Sequence, residues 1–258
     1  MKIDIHTHTK KVKSGDAPTR NIDCKKFVDI LKNTDVRILG ITNHNHFDKN
    51  QFDEFVAGIG EGWQLWPGIE LDILENGKRG HLIVIANPKK ALDFSNVVDN
   101  LMKDVNPDDF NITLKKTVEI FDDLDCIYIA HYHSKKPNIG DEEIELLGKL
   151  VSNPKRILKE ASNSISAGIY VSHGHNSIYG SDINDWNDYV SIAKNLPDLR
   201  LPVESFEHFC LLLQKDEPTI NTLLSKKKKE TIDLVPFTVA EMIKLDIYND
   251  INILFGSK

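Results

Sequence analysis

The sequence predicts an α/β fold: a distorted barrel of seven β/α units followed by a helical and strand extension. Three observations predict it. Short apolar runs rich in β-branched residues alternate with amphipathic stretches over residues 1–195. Several of these runs are apolar almost throughout, as in strands covered on both faces. Five of the runs end in a histidine or an acid. In a β/α barrel the C-terminal ends of the strands share one face, so those side chains converge.

Strands are expected at residues 2–5, 36–42, 64–72, 81–86, 126–130, 168–171 and 178–180. Helical spacing lies between them. Over 25–33, Phe27, Ile30 and Leu31 share a face, and over 113–124, Leu114, Val118 and Phe121 do so. Residues 142–151 and 154–161 read as two more helices, with Glu160 on the surface of the second. Pro197 and Pro202 mark a change of character near Leu196. Helices over 203–214 and 218–225 follow, then four consecutive lysines, 226–229, read as a solvated helix end. The division is a barrel over 1–195 and an extension over 196–258.

A length of 258 residues suits one large domain or a domain with an appendage. Lys and Arg number 32 against 39 Asp and Glu, a net charge of −7. Bulk charge therefore does not favour nucleic acid, and a polyanion needs a local basic surface or bound cations. Cys24, Cys126 and Cys210 are far apart and form no CxxC pair, which reads as a reducing, cytoplasmic setting. The N-terminus reads as a strand rather than a signal peptide, and no apolar run approaches a membrane span.

The ten histidines are unusually placed. Ile3-Asp4-Ile5 runs into His6-Thr7-His8, and Gly40-Ile41-Thr42 into Asn43-His44-Asn45-His46. Ile69 runs into Glu70, Ala130 into His131, and Gly180-Ser181 into Asp182. Residues two apart on a strand face the same side, so His6 and His8 present two imidazoles to one ion. Imidazole suits zinc, manganese and iron, and carboxylates bridge hard cations.

These segments, with Gly80-His81-Leu82, resemble the PHP (polymerase and histidinol phosphatase) family, in the family's order and over residues 1 to 190. The resemblance implies a distorted seven-stranded barrel with two or three divalent ions, Mn, Zn or Fe. It implies a first ion on His6, His8, Glu70 and Asp182, and a second shared by Glu70 with His81 and His131. His44 belongs to a third position, helped by Asp16. Two residues depart from the family pattern: Asn43 stands where an aspartate is usual, and Asn184 where a histidine is usual. Asparagine is a poorer ligand for a transition metal, which bears on the third position.

The chemistry so implied is metal-dependent phosphoester hydrolysis by metal-bound hydroxide, with Glu70, His131 and Asp182 as the catalytic set. Paired cations neutralise the ester and acidify water. Arg79, His133, Lys135 and His175 are candidates for the substrate phosphate. His46 reads either as lining the site or as an ordinary loop residue, His173 forms with His175 a loop pair that could contact substrate or metal, and His208 reads as structural. Trp63, Trp66 and Trp186 read as core. At the C-terminus an apolar run over 247–255 meets Gly256. It resembles the junction between a PHP domain and an ATPase of the AAA or SMC type, and implies an N-terminal piece of such a fusion. The leading expectation is a phosphodiesterase or nuclease in DNA repair or defence. The alternatives are a small-molecule phosphomonoesterase, or a decayed module with a structural or regulatory role.

Overall fold

A computed structural model describes residues 1–199 and 201–234. The strands among them are β1 (Lys2–Thr7), β2 (Val36–Ile41), β3 (Gln64–Glu75), β4 (Lys78–Ile85), β5 (Ile127–His131), β6 (Ile157–Glu160) and β7 (Ser177–Ile178). They lie side by side in sequence order, in one sheet curled into a half-barrel with helices outside. The helices are α1 (Cys24–Lys32), α2 (Lys49–Ile59), α3 (Ala91–Leu101), α4 (Leu114–Phe121), α5 (Asp141–Leu150), α6 (Ser164–Ser172), α7 (Tyr189–Ala193), α8 (Phe206–Leu213) and α9 (Glu217–Leu234). Side chains fix several helix starts: Asp23, Asp48, Thr113 and Asn163 each accept a backbone N–H of the first turn.

Most neighbours are parallel, but β4 runs antiparallel to both β3 and β5. The reason is local. Asn76 and Gly77 both adopt positive φ (49° and 78°), the geometry of a two-residue hairpin turn. The reversal places His81 near the start of its strand at the same end of the sheet as Glu70.

Two segments exchange their expected structures. Residues 154–161 are not a helix: Pro154–Arg156 is a single 3-10 turn and Ile157–Glu160 is β6. Residues 168–171 are not a strand but lie inside α6. The lysine run begins inside α9 rather than at a helix end, and Lys226 pairs with Glu204 at 2.6 Å. The apolar run at 247–255 lies outside the described residues.

Alternation along the strands separates two cores. Leu39, Leu65, Tyr128 and Ala130 face the helices. Ile3, Ile5, Ile38, Trp66, Ile83, Ile85, Ile127, Ile129 and Leu158 face the inside. Trp66 and Trp186 are both buried, in agreement with a core role. The inner core includes chain beyond residue 195: Leu199, Leu201, Val203, Phe206, Phe209, Leu212 and Leu213 are all buried in it. They floor the half-barrel. Above this floor the same inward positions carry polar groups, His131 after Ile129 and Glu160 after Leu158.

Burying each of those seven side chains contributes roughly 1.5–3 kcal/mol. Together they match or exceed the about 5–15 kcal/mol that typically stabilises a domain. A chain ended at residue 195 is therefore expected to lose its cooperative thermal transition by circular dichroism. A melt at the temperature of the 258-residue chain would contradict this packing.

Candidate metal centre

The first two histidines owe their direction to a bulge. From Asp4 to Thr7 the chain advances three residues on β1, while its partners Leu39 to Ile41 advance two on β2. A bulge of this kind re-aims a side chain, and here it turns His6 inward although Ile5 already faces inside. Asp4 braces the bulge. Its Oδ1 accepts the N–H groups of His6 (3.3 Å) and Ser181 (2.9 Å), and its Oδ2 accepts the Tyr189 hydroxyl (2.9 Å). The Asp182 N–H donates to the His6 carbonyl at 2.9 Å, so the chain after β7 returns to β1. Gly180 permits that approach, since a Cβ there would lie 2.5 Å from the Cβ of His6 and 2.9 Å from its backbone nitrogen.

Glu70 is the hub. Its Oε2 lies 3.1 Å from His6 Nε2, 3.2 Å from His8 Nε2 and 2.9 Å from His44 Nε2. Its Oε1 lies 2.5 Å from His81 Nδ1 and 3.3 Å from His131 Nε2. Each oxygen thus faces its own set of imidazoles. The backbone on either side of His44 holds Glu70 in place: the Glu70 N–H donates to the Asn43 carbonyl, and its carbonyl accepts from Asn45.

Glu160, expected on a surface, is fully buried beside this hub. Its Oε1 is 2.8 Å from His6 Nδ1 and its Oε2 is 2.9 Å from His131 Nε2. The sequence hid it because Lys159 interrupts the apolar run. That lysine points outward, under the Tyr132 ring and onto Asp141.

The donor set fits divalent ions. Among the described residues, three groups have ligand atoms within 4.8 Å of one another: His6, His8 and Glu70; His6, His131 and Glu160; His44, Glu70 and His81. A tetrahedral ion with bonds of about 2.0–2.1 Å holds its ligand atoms roughly 3.3 Å apart. His6 Nε2 and His8 Nε2 are 3.0 Å apart with no solvent access. His131 Nε2 and Glu160 Oε2 lie 2.9 Å apart in the same buried cluster.

Asp182 Oδ1 approaches His8 Nε2 at 3.2 Å and His6 Nε2 at 3.7 Å, while its Oδ2 accepts from Lys135 at 2.9 Å. Asp16 does not fall in any of the three groups. It accepts the N–H groups of Val12 and Lys13, and its Oδ1 lies 2.7 Å from His44 Nδ1, where it orients that ring. Asn43 turns away from the cluster and accepts the N–H groups of Thr9 and Lys10. Asn184 accepts from Arg20, a buried residue the sequence reading overlooked. His133 stands exposed at the rim, 3.8 Å from Asp141. Arg79 is exposed beside the β3–β4 turn. His175 sits on the loop before β7, at the end of the strands away from Glu160 and Asp182. His46 and His208 are absent from the three groups.

The electrostatics follow from burial and crowding. Burial disfavours charge on Glu70, but the His6 charge and hydrogen bonds from His44, His6 and His8 hold its carboxyl well below the usual range. Burial likewise opposes ionisation of Asp182, and His6, His8 and Lys135 outweigh it. Glu160 is depressed by His6, His131 and Lys135 against the same burial. His6 would be lowered by burial, but Glu160, Asp182 and Glu70 carry it well above an ordinary histidine. His81 is likewise opposed by burial but lifted to about 9 by Asp72 and Glu70. On His8, by contrast, burial prevails and lowers the pKa.

No family model and no curated protein matches the chain. Among solved structures it is similar to endonuclease Q in complex with a 27-mer duplex substrate carrying an abasic lesion at the active site (TM-score 0.55, 14% identity). That match covers 83% of this chain and 56% of the endonuclease Q chain, and it shows the shared fold. Two further matches are weaker. One is a protein from Bifidobacterium adolescentis described as a metal-dependent phosphoesterase (TM-score 0.44, 13% identity, covering 76% of this chain and 97% of that one). The other is an amidohydrolase from Chromobacterium violaceum with bound sulfate and no metal (TM-score 0.45, 12% identity, covering 72% and 88%).

Two predictions follow from the geometry. Glu160→Ala is expected to weaken Mn or Zn affinity by roughly 10–100-fold in a chelator competition, the usual cost of losing a group that orients a ligand. Unchanged affinity would remove Glu160 from the centre. The second concerns pH. Raised histidine pKa values mean that protons occupy His6 and His81 in the metal-free protein until the pH passes about 9 on His81. An ion must displace them, so affinity should rise with pH from about 6 to about 9, with proton release on binding. Affinity flat across that range would contradict the assignment.

Proposed function

We propose that the chain is a metal-dependent phosphoester hydrolase. The observation that carries this reading is the division of the buried Glu70 carboxylate between two sets of histidines, with a cation at the mouth. In this reading His6, His8, Glu70 and Asp182 hold one ion, and Glu70, His81 and His131 a second. His44, oriented by Asp16, stands ready beside them. When bound, such ions polarise a phosphoryl oxygen and lower the pKa of water.

The chain's own groups do the rest. His6, His8 and Glu70 have almost no solvent access, so charges there act through a weak dielectric. Lys135 would be lowered by burial, but Glu160 and Asp182 raise its pKa and keep it protonated. Its Nζ bonds Asp182 Oδ2 and is available to a phosphoryl oxygen at the mouth. A cation in that position favours an anionic ester over a neutral amide. His133 lies exposed on the same loop, and in this reading it meets the remainder of the substrate.

The polymer reading, a phosphodiesterase acting on nucleic acid, draws support from the fold shared with endonuclease Q, which was captured with a 27-mer duplex substrate. It also fits a site whose Asp182 is 36% exposed rather than sealed.

The test is a pair of assays on Mn- or Zn-loaded protein, with bis-p-nitrophenyl phosphate and p-nitrophenyl phosphate. Diester turnover is expected, reduced by at least about a hundredfold in His6→Ala and in Asp182→Ala. Preference for the monoester would move the reading to a small-molecule phosphatase. Turnover unaffected by either substitution would overturn it.

A further inference from the structure

Arg20 is buried to 7% exposure on the loop between β1 and α1. A buried guanidinium needs an acceptor for each N–H. Nε donates to Asn184 Oδ1 at 3.1 Å. Nη1 donates to Asp16 Oδ1 at 2.9 Å and lies 3.0 Å from His44 Nδ1. Those contacts fix the plane of the group, because Asp16 is itself held by two backbone N–H groups. Nη2 is different. Among the described residues it meets only Asp182 Oδ1, at 3.5 Å, a long contact that engages one of its two protons. Nη2 therefore keeps unspent donor capacity, and it borders a carboxylate that opens to the mouth.

Lys135 reaches the other oxygen of the same carboxylate, Asp182 Oδ2, at 2.9 Å. Two cations from different loops thus stand astride Asp182, one on each oxygen. The planar fork of arginine suits phosphate oxygens better than a point charge does. We propose that Arg20 is a fixed cation of the site, held by Asn184 and Asp16, whose Nη2 takes a phosphoryl oxygen of the substrate across Asp182 from Lys135. The proposal rests on the phosphoester reading above. It also gives Asn184 a function: it anchors the arginine instead of holding an ion.

The experiment measures inorganic phosphate binding by calorimetry to Mn-loaded wild type, Arg20→Met, Arg20→Lys and Asn184→Ala, with Mn content and melting temperature recorded for each. Arg20→Met is expected to bind phosphate roughly 10–100-fold more weakly, the loss of a charge-assisted hydrogen bond, with Mn content unchanged. KM for the ester should rise more than kcat falls, and Arg20→Lys should recover part of the affinity. Wild-type phosphate affinity in Arg20→Met overturns the role of Arg20. If Arg20→Met loses its ions or its fold, Asn184→Ala decides, because it releases Nε and keeps the charge: weakened phosphate binding supports the proposal, and wild-type binding overturns it. A wild type that takes up Mn but binds no phosphate and cleaves neither ester overturns the phosphoester reading, and this proposal with it.

Discussion

A buried carboxylate surrounded by five imidazoles is the constraint on which the rest of this molecule turns. Glu70 has no useful access to water, and removing an ionised carboxylate from water costs several kcal/mol unless it is paired. His6, His8, His44, His81 and His131 supply the partners, each within 3.3 Å of one of its oxygens. Those rings come from four strands or strand ends, so satisfying one side chain fixes β1, β2, β4 and β5 relative to β3. The bulge in β1, the hairpin reversal of β4 and the close approach at Gly180 all serve that convergence.

The half-barrel divides its interior by height. Isoleucines and Trp66 fill the lower layers, closed from below by Phe206, Phe209 and their neighbours. Ionisable groups fill the upper layer. This separation keeps the cluster in a poorly screened medium and makes its members depend on each other for charge. It explains why the carboxylates are held ionised while His6 and His81 are raised, an arrangement in which protons stand where the proposed cations would. Lys135 and the buried Arg20 each pair with one oxygen of Asp182 and so offset part of the acidic charge of the site within a chain of net charge −7.

Much of the site was legible in the sequence because strand ends advertise themselves. His6, His8, His44, Glu70, His81, His131 and Asp182 follow apolar runs or open one, and the structure brings them together, with Lys135 beside them. Glu160 was hidden because β6 has only four residues and includes a lysine, so a proline followed by mixed residues looked helical. Residues 168–171 failed in the opposite sense: an apolar β-branched run alone does not distinguish a buried strand from a helix, and here a capped helix took it. Arg20 left no signal, since nothing local announces that an arginine will be buried. His175 shows the converse, a conspicuous histidine pattern on a loop at the far end of the strands.

The most direct test of the central claim is the metal content of purified protein and of its Glu70→Gln variant, measured by inductively coupled plasma mass spectrometry alongside a thermal melt. If Glu70 is the shared hub, the wild type carries Mn, Zn or Fe. The variant, still folded, then loses ions from both sets of histidines at once instead of from one. A folded wild type that takes up none of these ions when they are supplied would contradict the account.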